Sequence, residues 1–575
     1  MVHLKELGSS AIRSAGDWRS GIGRAQFAAE AALEGPGLLV AVCGVQLVSC
    51  LLLGGGTRGG FLSDALLQLS SIPVLLFVLS QLSARQWSHQ RKMTQLALLI
   101  CILMVVLPFL QLVPLPPWLW KSLPGRAPLT QAFDLLGRAV PWRPISVSPN
   151  ATWVSLLSML PPIALFLGVV QLGLSERRKL SLVFVAFGGV SALMGILQVA
   201  QGPSSPLRFF DFTNLTEAVG FFANRNHFAA LIYSSLLVAA AWTTTQAASA
   251  AGSWQDRKNL QTSSIALLTV GFVGIVLFIA AEFMTRSRAG LGFTILALVG
   301  ASVLGLSDRR ISSGITPRKL VIGATLLAVM FSVQFALYRF MERFTDDPMD
   351  DARIPFARNT IAAATTFMPT GSGIGTFVPV YAGFEKASDI SGNVYANHAH
   401  NDLLELWLET GIAGLLLLGL FVLWFVWTSM RVWRDKGSTT RDIDRCMARA
   451  ATLIIGFLLV HSLVDYPLRT DAMMAVFAFS CALLVEPMGQ RAGRESIADA
   501  IPQSADVRKR PPLPDPPARP RTAPPAPRAP VLDSVKLPVA ARGRWGEDVA
   551  WPQQWLQNET KAPKPVRDEE KGSSE

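Results

Sequence analysis

The sequence predicts an all-α fold, a polytopic membrane helical bundle of about twelve transmembrane helices with a large periplasmic loop before the tenth helix. Half of the 575 residues are hydrophobic, only 16% are charged, and the mean hydropathy is +0.37. A soluble domain carries more charge than this, so many apolar side chains are expected to face lipid. Backbone amides inside a bilayer must be paired within the same segment, which favours helices over an open sheet.

Apolar windows of about 20 residues, enough to cross roughly 30 Å of hydrocarbon, recur along the chain. They lie near 37–54, 61–82, 93–115, 151–174, 180–201, 223–243, 263–282, 287–306, 319–338, 411–432, 450–466 and 472–487. The predicted organisation is a cytoplasmic N-terminal segment 1–36, transmembrane helices 1–9 over 37–338, a periplasmic loop 339–410, transmembrane helices 10–12 over 411–487, and a disordered Pro-rich cytoplasmic tail 488–575.

Short basic clusters between these windows predict the orientation. The basic clusters fall on one side of the membrane, and they include Arg91, Arg177, Arg309 and Arg434. By the positive-inside rule that side is the cytoplasm, so both termini are predicted to be cytoplasmic in a multi-pass protein of the bacterial inner membrane. These clusters and the tails account for the net charge of +12, and we expect no nucleic-acid partner. The five cysteines form no CxxC pair, which argues against a disulfide framework.

Ionisable residues at membrane depth are costly and therefore indicate partners or function. Under the predicted topology they gather at the periplasmic face: Asn226, His227, Glu282, Arg286, Arg288, Arg353, Arg358, His400, His461, Asp465 and Arg469. Arginines on the outer side oppose the positive-inside preference. We therefore expect them to bind an anion, since a guanidinium group matches phosphate oxygens. For each arginine the alternative is an ion pair with a nearby carboxylate or contact with lipid headgroups.

The densest polar stretch runs from Asn397 to Gly411. Asn401 or Asp402 can cap a helix that begins here and continues into the tenth span. His400 just precedes that helix, and an imidazole there can accept a proton from a sugar hydroxyl near neutral pH. A capping or structural role for His400 is the alternative. His398 and His400 share a spacing that suits a metal, but no third ligand is evident, so no metal and no cofactor are predicted.

These residues resemble the O-antigen ligase and O-antigen polymerase superfamily. The signature of this superfamily is His-Asn, nine residues and then Gly-x-x-Gly. This chain is similar to it, with His400-Asn401, nine residues and then Gly411-Ile412-Ala413-Gly414. Shorter similarities extend the resemblance from about 180 to 485, at Gly220–His227, Ser287–Gly290, Pro369–Phe377 and His461–Leu468. One position departs from the pattern, because many relatives carry Trp where this chain has Ala357, next to Phe356.

The resemblance implies an inverting, metal-independent glycosyltransferase that moves an undecaprenyl-diphosphate-linked glycan onto an acceptor hydroxyl. His400 matches the family's proposed base, and Arg288 and Arg353 match positions that engage the diphosphate. The other predicted substrate-binding residues are Arg286, Arg358, Arg469, Asn401, Asn226 and Glu282. The implied partners are the lipid-linked donor, lipid A core or a growing glycan as acceptor, and membrane lipids.

Two kinds of enzyme share this signature. A ligase moves a finished glycan to its acceptor, whereas a polymerase joins repeat units, and the His-Asn to Gly-x-x-Gly spacing favours the ligase. An anion transporter is a weaker alternative, because transporters place their polar site near the bilayer midplane and here the polar residues lie at one face. A protein O-glycan transferase is the remaining alternative.

Overall fold

The computed structural model describes residues 36–59, 61–82, 92–211, 213–253, 262–306, 348–390, 396–435 and 442–487. These residues are mostly helical, with only two short strands, which confirms the predicted all-α class. The N-terminal residues up to 35, the predicted ninth span 319–338, and the tail from 488 onward lie outside the described residues.

The first half of the bundle contains eight helices and a small antiparallel ribbon. The helices are α1 Pro36–Leu53, α2 Leu62–Ser80, α3 Lys92–Leu112, α4 Pro117–Ser122, α5 Ala127–Leu135, α6 Pro149–Leu157, α7 Leu160–Gln171 and α8 Leu174–Gln201. Strands β1 Pro114–Leu115 and β2 Arg143–Pro144 pair between α3 and α6.

The second half carries the polar residues of interest. Its helices are α9 Arg225–Ser253, α10 Thr262–Thr285, α11 Arg288–Leu306, α12 Pro348–Thr366, α13 Phe377–Tyr381, α14 Asp402–Arg434, α15 Asp442–His461 and α16 Asp471–Leu484. Two single-turn 3₁₀ helices lie at Ala387–Asp389 and Pro467–Arg469.

Seven helical segments of the described residues are long and apolar enough to cross a membrane. They are Leu62–Ser80, Lys92–Leu112, Pro149–Gln171, Leu174–Gln201, Arg225–Gln246, Ala266–Thr285 and Asp402–Arg434, and three shorter apolar helices accompany them. The predicted eleventh span 450–466 is displaced, because α15 ends at His461 and residues 462–466 turn away from the helix. The total of twelve spans stays a prediction.

The described part of segment 339–410, which was predicted as a large periplasmic loop, contains helices. Helices α12 and α13 lie within it, and α14 begins at Asp402, where the sequence predicted a helix start. The physical reason is a second hydrophobic core, separate from that of the bundle, in which Phe356, Phe367, Phe377, Tyr381 and Leu408 are buried together.

Helix α9 lies at the centre of the bundle and packs against α8, α10, α11 and α15. Every residue from 227 to 241 along it is buried. Alanine and serine supply several of these positions, and small side chains let neighbouring helix backbones approach closely. The first turn of α9 is therefore held firmly, and it carries Asn226 and His227.

One arginine, at the predicted cytoplasmic end, joins three helix ends. Arg177 near the start of α8 is 2% exposed. Its guanidinium donates hydrogen bonds of 2.7–3.1 Å to the backbone carbonyls of Val169, Val170, Leu172, Ala482 and Val485. The last carbonyls of a helix have no partner inside it, so Arg177 satisfies the ends of α7 and α16 together.

The opposite end of the bundle is organised by a kink in α14. Gly411 interrupts the helix with φ +59°. A Cβ atom there would lie 2.0 Å from the carbonyl oxygen of Pro369, so only glycine fits. The glycine turn, residues Pro369–Gly375, docks onto this kink through hydrogen bonds of Ile412 N–H to Pro369 O at 3.0 Å and Ser372 N–H to Leu408 O at 3.0 Å.

Candidate functional site

The site is built around the histidine turn, residues 396–401, which leads into α14. Asn401 caps the helix: its side-chain oxygen accepts hydrogen bonds from Leu403 N–H and Leu404 N–H, both at 3.0 Å. Its amide donates to the Leu463 carbonyl at 2.8 Å. The predicted helix start is confirmed, and Asn401 is the residue that caps it. Both polar groups of Asn401 are used within the protein, and its contact with substrate stays a prediction.

His400 has an unusual backbone and a defined side-chain partner. Its φ is +50°, a left-handed conformation that is uncommon for a residue with a side chain. Its side chain is 6% exposed, and its Nδ1 lies 3.2 Å from Oδ1 of Asp465. A carboxylate opposite Nδ1 favours the tautomer with the proton on that nitrogen, and this leaves Nε2 to accept another proton.

Asp465 is held by three donors at once. Its Oδ1 accepts from His400 Nδ1 and, at 3.0 Å, from Tyr466 N–H, while its Oδ2 accepts a short hydrogen bond from the side-chain amide of Asn226. Burial raises the pKa of Asp465, but the hydrogen bond from His400 and the surrounding imidazoles lower it further, so the net shift is well below the ordinary range. The carboxylate stays ionised and fixes the orientation of His400.

Two aromatic rings confine the His400 imidazole. The Phe356 ring stacks at a centroid distance of 6.0 Å and an interplanar angle of 27°. The Tyr466 ring meets it edge-on at 4.8 Å and 84°. Arg353 precedes Phe356 by about one helical turn on α12, so it lies on the Phe356 side of His400.

A second histidine lies on the other side of Tyr466. The His398 ring is 4.3 Å from the Tyr466 ring, and its Nδ1 lies 2.9 Å from Oε1 of Glu405. The other Glu405 oxygen accepts from Ala399 N–H at 2.9 Å, so Glu405 holds the histidine turn at two points. Burial lowers the pKa of His398, but the adjacent Glu405 carboxylate raises it, and the net shift is upward.

Arg469 connects this second histidine to α14. Its guanidinium contacts Asp402 at 3.3 Å, Glu405 at 3.3 Å and Glu409 at 2.7 Å. Glu409 also accepts from Gly375 N–H at 2.9 Å, which ties the glycine turn to the same arginine. Three carboxylates around one guanidinium repel a phosphate, so the predicted role of Arg469 in binding an anion does not fit its surroundings.

Arg358 forms the ion pair with a carboxylate that was the alternative to binding an anion. It forms a two-pronged ion pair with Asp389, at 2.8 Å and 3.0 Å, and its side chain is 54% exposed. Asp389 additionally accepts from Asn359 at 2.9 Å. Arg358 therefore anchors the short 3₁₀ helix that follows α13.

The turn between α10 and α11 lies against the first turns of α9. A Cβ atom on Gly290 would lie 2.4 Å both from the Ala229 Cβ and from Oε1 of Glu282, so Ala229 and Glu282 meet at this glycine. Asn226 precedes Ala229 by one turn, which places Arg286 and Arg288 at the same end of the bundle as Asp465. Glu282 is 2% exposed, and neither of its oxygens accepts a hydrogen bond from a described residue.

Sequence reasoning omitted two residues from the predicted set. Asp465 was recognised as part of the polar face but not as the partner of His400, and Tyr466 was not singled out. Asp465 follows α15, whereas His400 precedes α14, and no spacing in the sequence reports that the two turns meet. Among the described residues, no group of three or more His, Cys, Asp and Glu side chains is arranged to hold a metal ion.

Residues 273–419 match the family model described as O-Antigen ligase. Over these residues the chain is similar to the O-antigen ligase family, and the match confirms the predicted resemblance. No curated protein matches the chain.

The matched range contains Arg286, Arg288, Arg353 and His400, but it ends within α14. Asn226, Asp465 and Arg469 lie outside the matched range. The match is shorter than the predicted similarity from about 180 to 485. His400 lies inside the matched range, and the residues that orient it, Asn226 and Asp465, lie on either side of that range in the sequence.

Proposed function

We propose that the protein transfers an undecaprenyl-diphosphate-linked glycan onto an acceptor hydroxyl at the periplasmic face of the inner membrane, as an inverting, metal-independent ligase. The observation that carries this proposal is the His400–Asp465 pair, a buried imidazole whose Nδ1 faces an ionised carboxylate 3.2 Å away. Such a pair is the usual arrangement for a general base that removes a proton from a hydroxyl group.

In the proposed reaction, His400 Nε2 accepts the proton of the acceptor hydroxyl. The hydroxyl oxygen attacks the anomeric carbon of the donor from the face opposite the diphosphate, and the bond between that carbon and the diphosphate oxygen breaks. Asp465 stabilises the imidazolium that forms. Asn226 acts through Asp465 by holding its second oxygen.

Negative charge grows on the departing diphosphate and needs stabilisation. We assign this role to Arg288 and Arg353, supported by Arg286. Arg353 lies on the Phe356 side of His400, and the turn that holds Arg286 and Arg288 packs against α9 near Asn226. Arg358 and Arg469 are left out of this set because carboxylates already neutralise them.

The first test replaces His400 with alanine. We expect glycan transfer to fall by at least about 10²-fold, since general base catalysis contributes that much, while the purified protein keeps its thermal midpoint. Arg288→Lys should also lower transfer, because a single ammonium group lacks the two-pronged geometry of guanidinium. Full transfer by the His400→Ala variant would refute the proposed base.

A second test separates ligase from polymerase. In a strain that lacks the protein, a ligase defect leaves long lipid-linked glycan chains that never reach the acceptor. A polymerase defect leaves single repeat units instead. The product made by the purified protein should show inverted anomeric configuration, and retention of configuration would contradict the proposed single displacement.

A further inference from the structure

The segment between α3 and α6 folds as a small unit of two strands and two helices, which we call the ribbon unit, residues 114–144. Both of its ends join segments that are long and apolar enough to cross a membrane, Lys92–Leu112 and Pro149–Gln171. One residue separates the ribbon unit from the first segment, and four residues separate it from the second. An extended chain covers at most about 3.6 Å per residue, so the ribbon unit begins and ends close to the membrane surface.

An aromatic pair marks the level at which the two membrane segments meet the ribbon unit. The Phe109 and Trp153 rings contact each other edge-on at a centroid distance of 6.0 Å, and both residues are 47% exposed. Phe109 lies in the last turn of α3, and Trp153 lies near the start of α6. Tryptophan is enriched where the hydrocarbon of a bilayer meets water, so the ribbon unit is expected at the level of the lipid headgroups.

The inner side of the ribbon unit is fixed to the rest of the protein. Arg126 is fully buried, donates a hydrogen bond to the Ile145 carbonyl, and places its guanidinium 5.1 Å from the centre of the Phe367 ring. Trp120 is also fully buried, and its indole N–H donates to the Pro144 carbonyl at 2.9 Å. These contacts determine which side of the ribbon unit faces outward.

The outer side of the ribbon unit carries large apolar side chains. Four of them are at least 65% exposed: Trp118, Leu135, Leu136 and Trp142. When the register of the ribbon is continued, Trp142 comes opposite Pro116, which directly precedes the helix that carries Trp118. Large apolar side chains grouped on a protein surface indicate contact with a membrane or a partner. At the headgroup level, tryptophan and leucine side chains are accommodated by lipid.

The charges of the ribbon unit indicate which kind of lipid fits. It contains four basic residues and one acidic residue: Lys121, Arg126, Arg138 and Arg143, with Asp134. Lys121 and Arg138 are exposed. This basic excess lies on the predicted periplasmic side, where the positive-inside rule disfavours it, so it indicates an anionic partner. Basic side chains near a membrane surface attract acidic lipids.

We propose that the ribbon unit is a membrane anchor that binds acidic phospholipids. Trp118 and Trp142 lie between the headgroups, and Lys121 and Arg138 contact the lipid phosphates. The anchor lies outside residues 273–419 and uses none of the residues that we assign to glycan transfer. It therefore goes beyond the proposed function and does not depend on it.

The test uses the full-length protein in nanodiscs of phosphatidylcholine with a smaller share of phosphatidylglycerol. The photoactivatable residue benzoylphenylalanine replaces Trp118 in one variant and Trp142 in another, which keeps an aromatic side chain at each position. Mass spectrometry of the adducts gives the ratio of the two captured lipids, divided by their ratio in the disc. We expect phosphatidylglycerol to be enriched about fivefold, the factor that one basic side chain near the surface contributes. Equal enrichment of the two lipids, or no lipid adduct at either position, would overturn the proposal.

Charge variants of opposite sign test the source of the lipid preference. Replacing both cations, by Lys121→Gln together with Arg138→Gln, should bring the enrichment of phosphatidylglycerol close to one. The matched control on the same unit is Asp134→Asn, which removes the acidic group and should raise the enrichment. An unchanged enrichment in the double variant, or a lower one in Asp134→Asn, would contradict the assignment.

The same labelled positions distinguish a lipid from a protein partner. Illumination of intact cells should give phospholipid adducts at positions 118 and 142. A crosslinked protein in place of lipid at both positions would show that this surface docks a protein, and the anchor would be wrong.

The outcome is separable from that of the proposed function. His400→Ala should show the same enrichment as the unaltered protein, because His400 is not part of the ribbon unit. Glycan transfer without a lipid preference overturns the anchor alone. A lipid preference without glycan transfer overturns the proposed reaction alone.

Discussion

Two histidine–carboxylate pairs lie on either side of Tyr466, and they differ in what surrounds the carboxylate. His400 faces Asp465, whose other contacts are the neutral amide of Asn226 and a backbone N–H group. His398 faces Glu405, which is also 3.3 Å from the guanidinium of Arg469. The second pair is thus part of a larger ionic network with Arg469, whereas the hydrogen bonds described for Asp465 come from His400 and two uncharged groups.

The difference indicates two tasks. A histidine with one carboxylate partner, which uncharged groups hold in place, suits proton transfer from a hydroxyl group. A pair fixed by Arg469, Asp402 and Glu409 joins α14, the glycine turn and the 3₁₀ helix Pro467–Arg469 into one unit. The network around His398 therefore holds the turn in which His400 adopts its left-handed backbone.

The strongest test of this comparison is Asp465→Asn. The amide can donate to Nδ1 of His400, which moves the imidazole proton to Nε2 and blocks the proposed base. We expect kcat to fall on the order of 10³-fold with little change in KM or thermal midpoint. A rate close to that of the unaltered protein would remove Asp465 from the proposed mechanism.

Arg469→Leu tests the other pair. It leaves three buried carboxylates without their cation, and removing one partner of a buried ion pair costs about 3–5 kcal/mol of unfolding free energy. The matched control is Arg358→Leu, which breaks an exposed pair and should cost at most about 1 kcal/mol. The two variants are compared by thermal unfolding in the same detergent. Equal losses of unfolding free energy would contradict the proposed structural role of Arg469.

Asn226→Ala should have a smaller effect on catalysis. It removes one of the hydrogen bonds that orient Asp465, and a hydrogen bond to a charged group contributes about 1.5 kcal/mol. We therefore expect kcat to fall roughly tenfold. Asn226→Asp should be worse than alanine, because it places a second carboxylate against Asp465. The reverse order would show that Asn226 does not act through Asp465.

The pH dependence of stability should report on the His398–Glu405 pair. Because Glu405 raises the pKa of His398, the folded protein holds that proton more tightly than the unfolded chain does. This contribution is complete below about pH 6.5, the ordinary value for histidine, and is lost as the pH rises through the folded-state pKa. The thermal midpoint should therefore decline above pH 6.5 and decline less in His398→Gln. The same slope in both proteins would show that another group titrates.

Local features of the site followed from the sequence. The helix start at Asn401 and the glycine at position 411 were both recognisable, and the structure explains their spacing: the helix runs from its cap to the kink where the glycine turn docks. The role of Asp465 was not predictable in the same way. The His400–Asp465 contact joins residues 65 positions apart, and chain spacing carries no signal for it.

The partners of the arginines were likewise not predictable from chain spacing. Their position on the outer face suggested a common anionic ligand, yet Arg469 meets three carboxylates and Arg358 meets Asp389. The carboxylates that neutralise Arg469 lie on one face of α14 at positions 402, 405 and 409, which helical periodicity does reveal. Which arginine meets that face depends on how the turn after α15 returns to α14.

The sequence by itself determined the helical class, the membrane setting and the identity of the histidine turn, because hydropathy, helix capping and glycine conformation act over a few residues. Only the tertiary structure decided which carboxylate orients His400 and which carboxylates pair with Arg358 and Arg469. Those properties come from contacts between distant segments, and their energies depend on burial and distance, which a linear sequence does not specify.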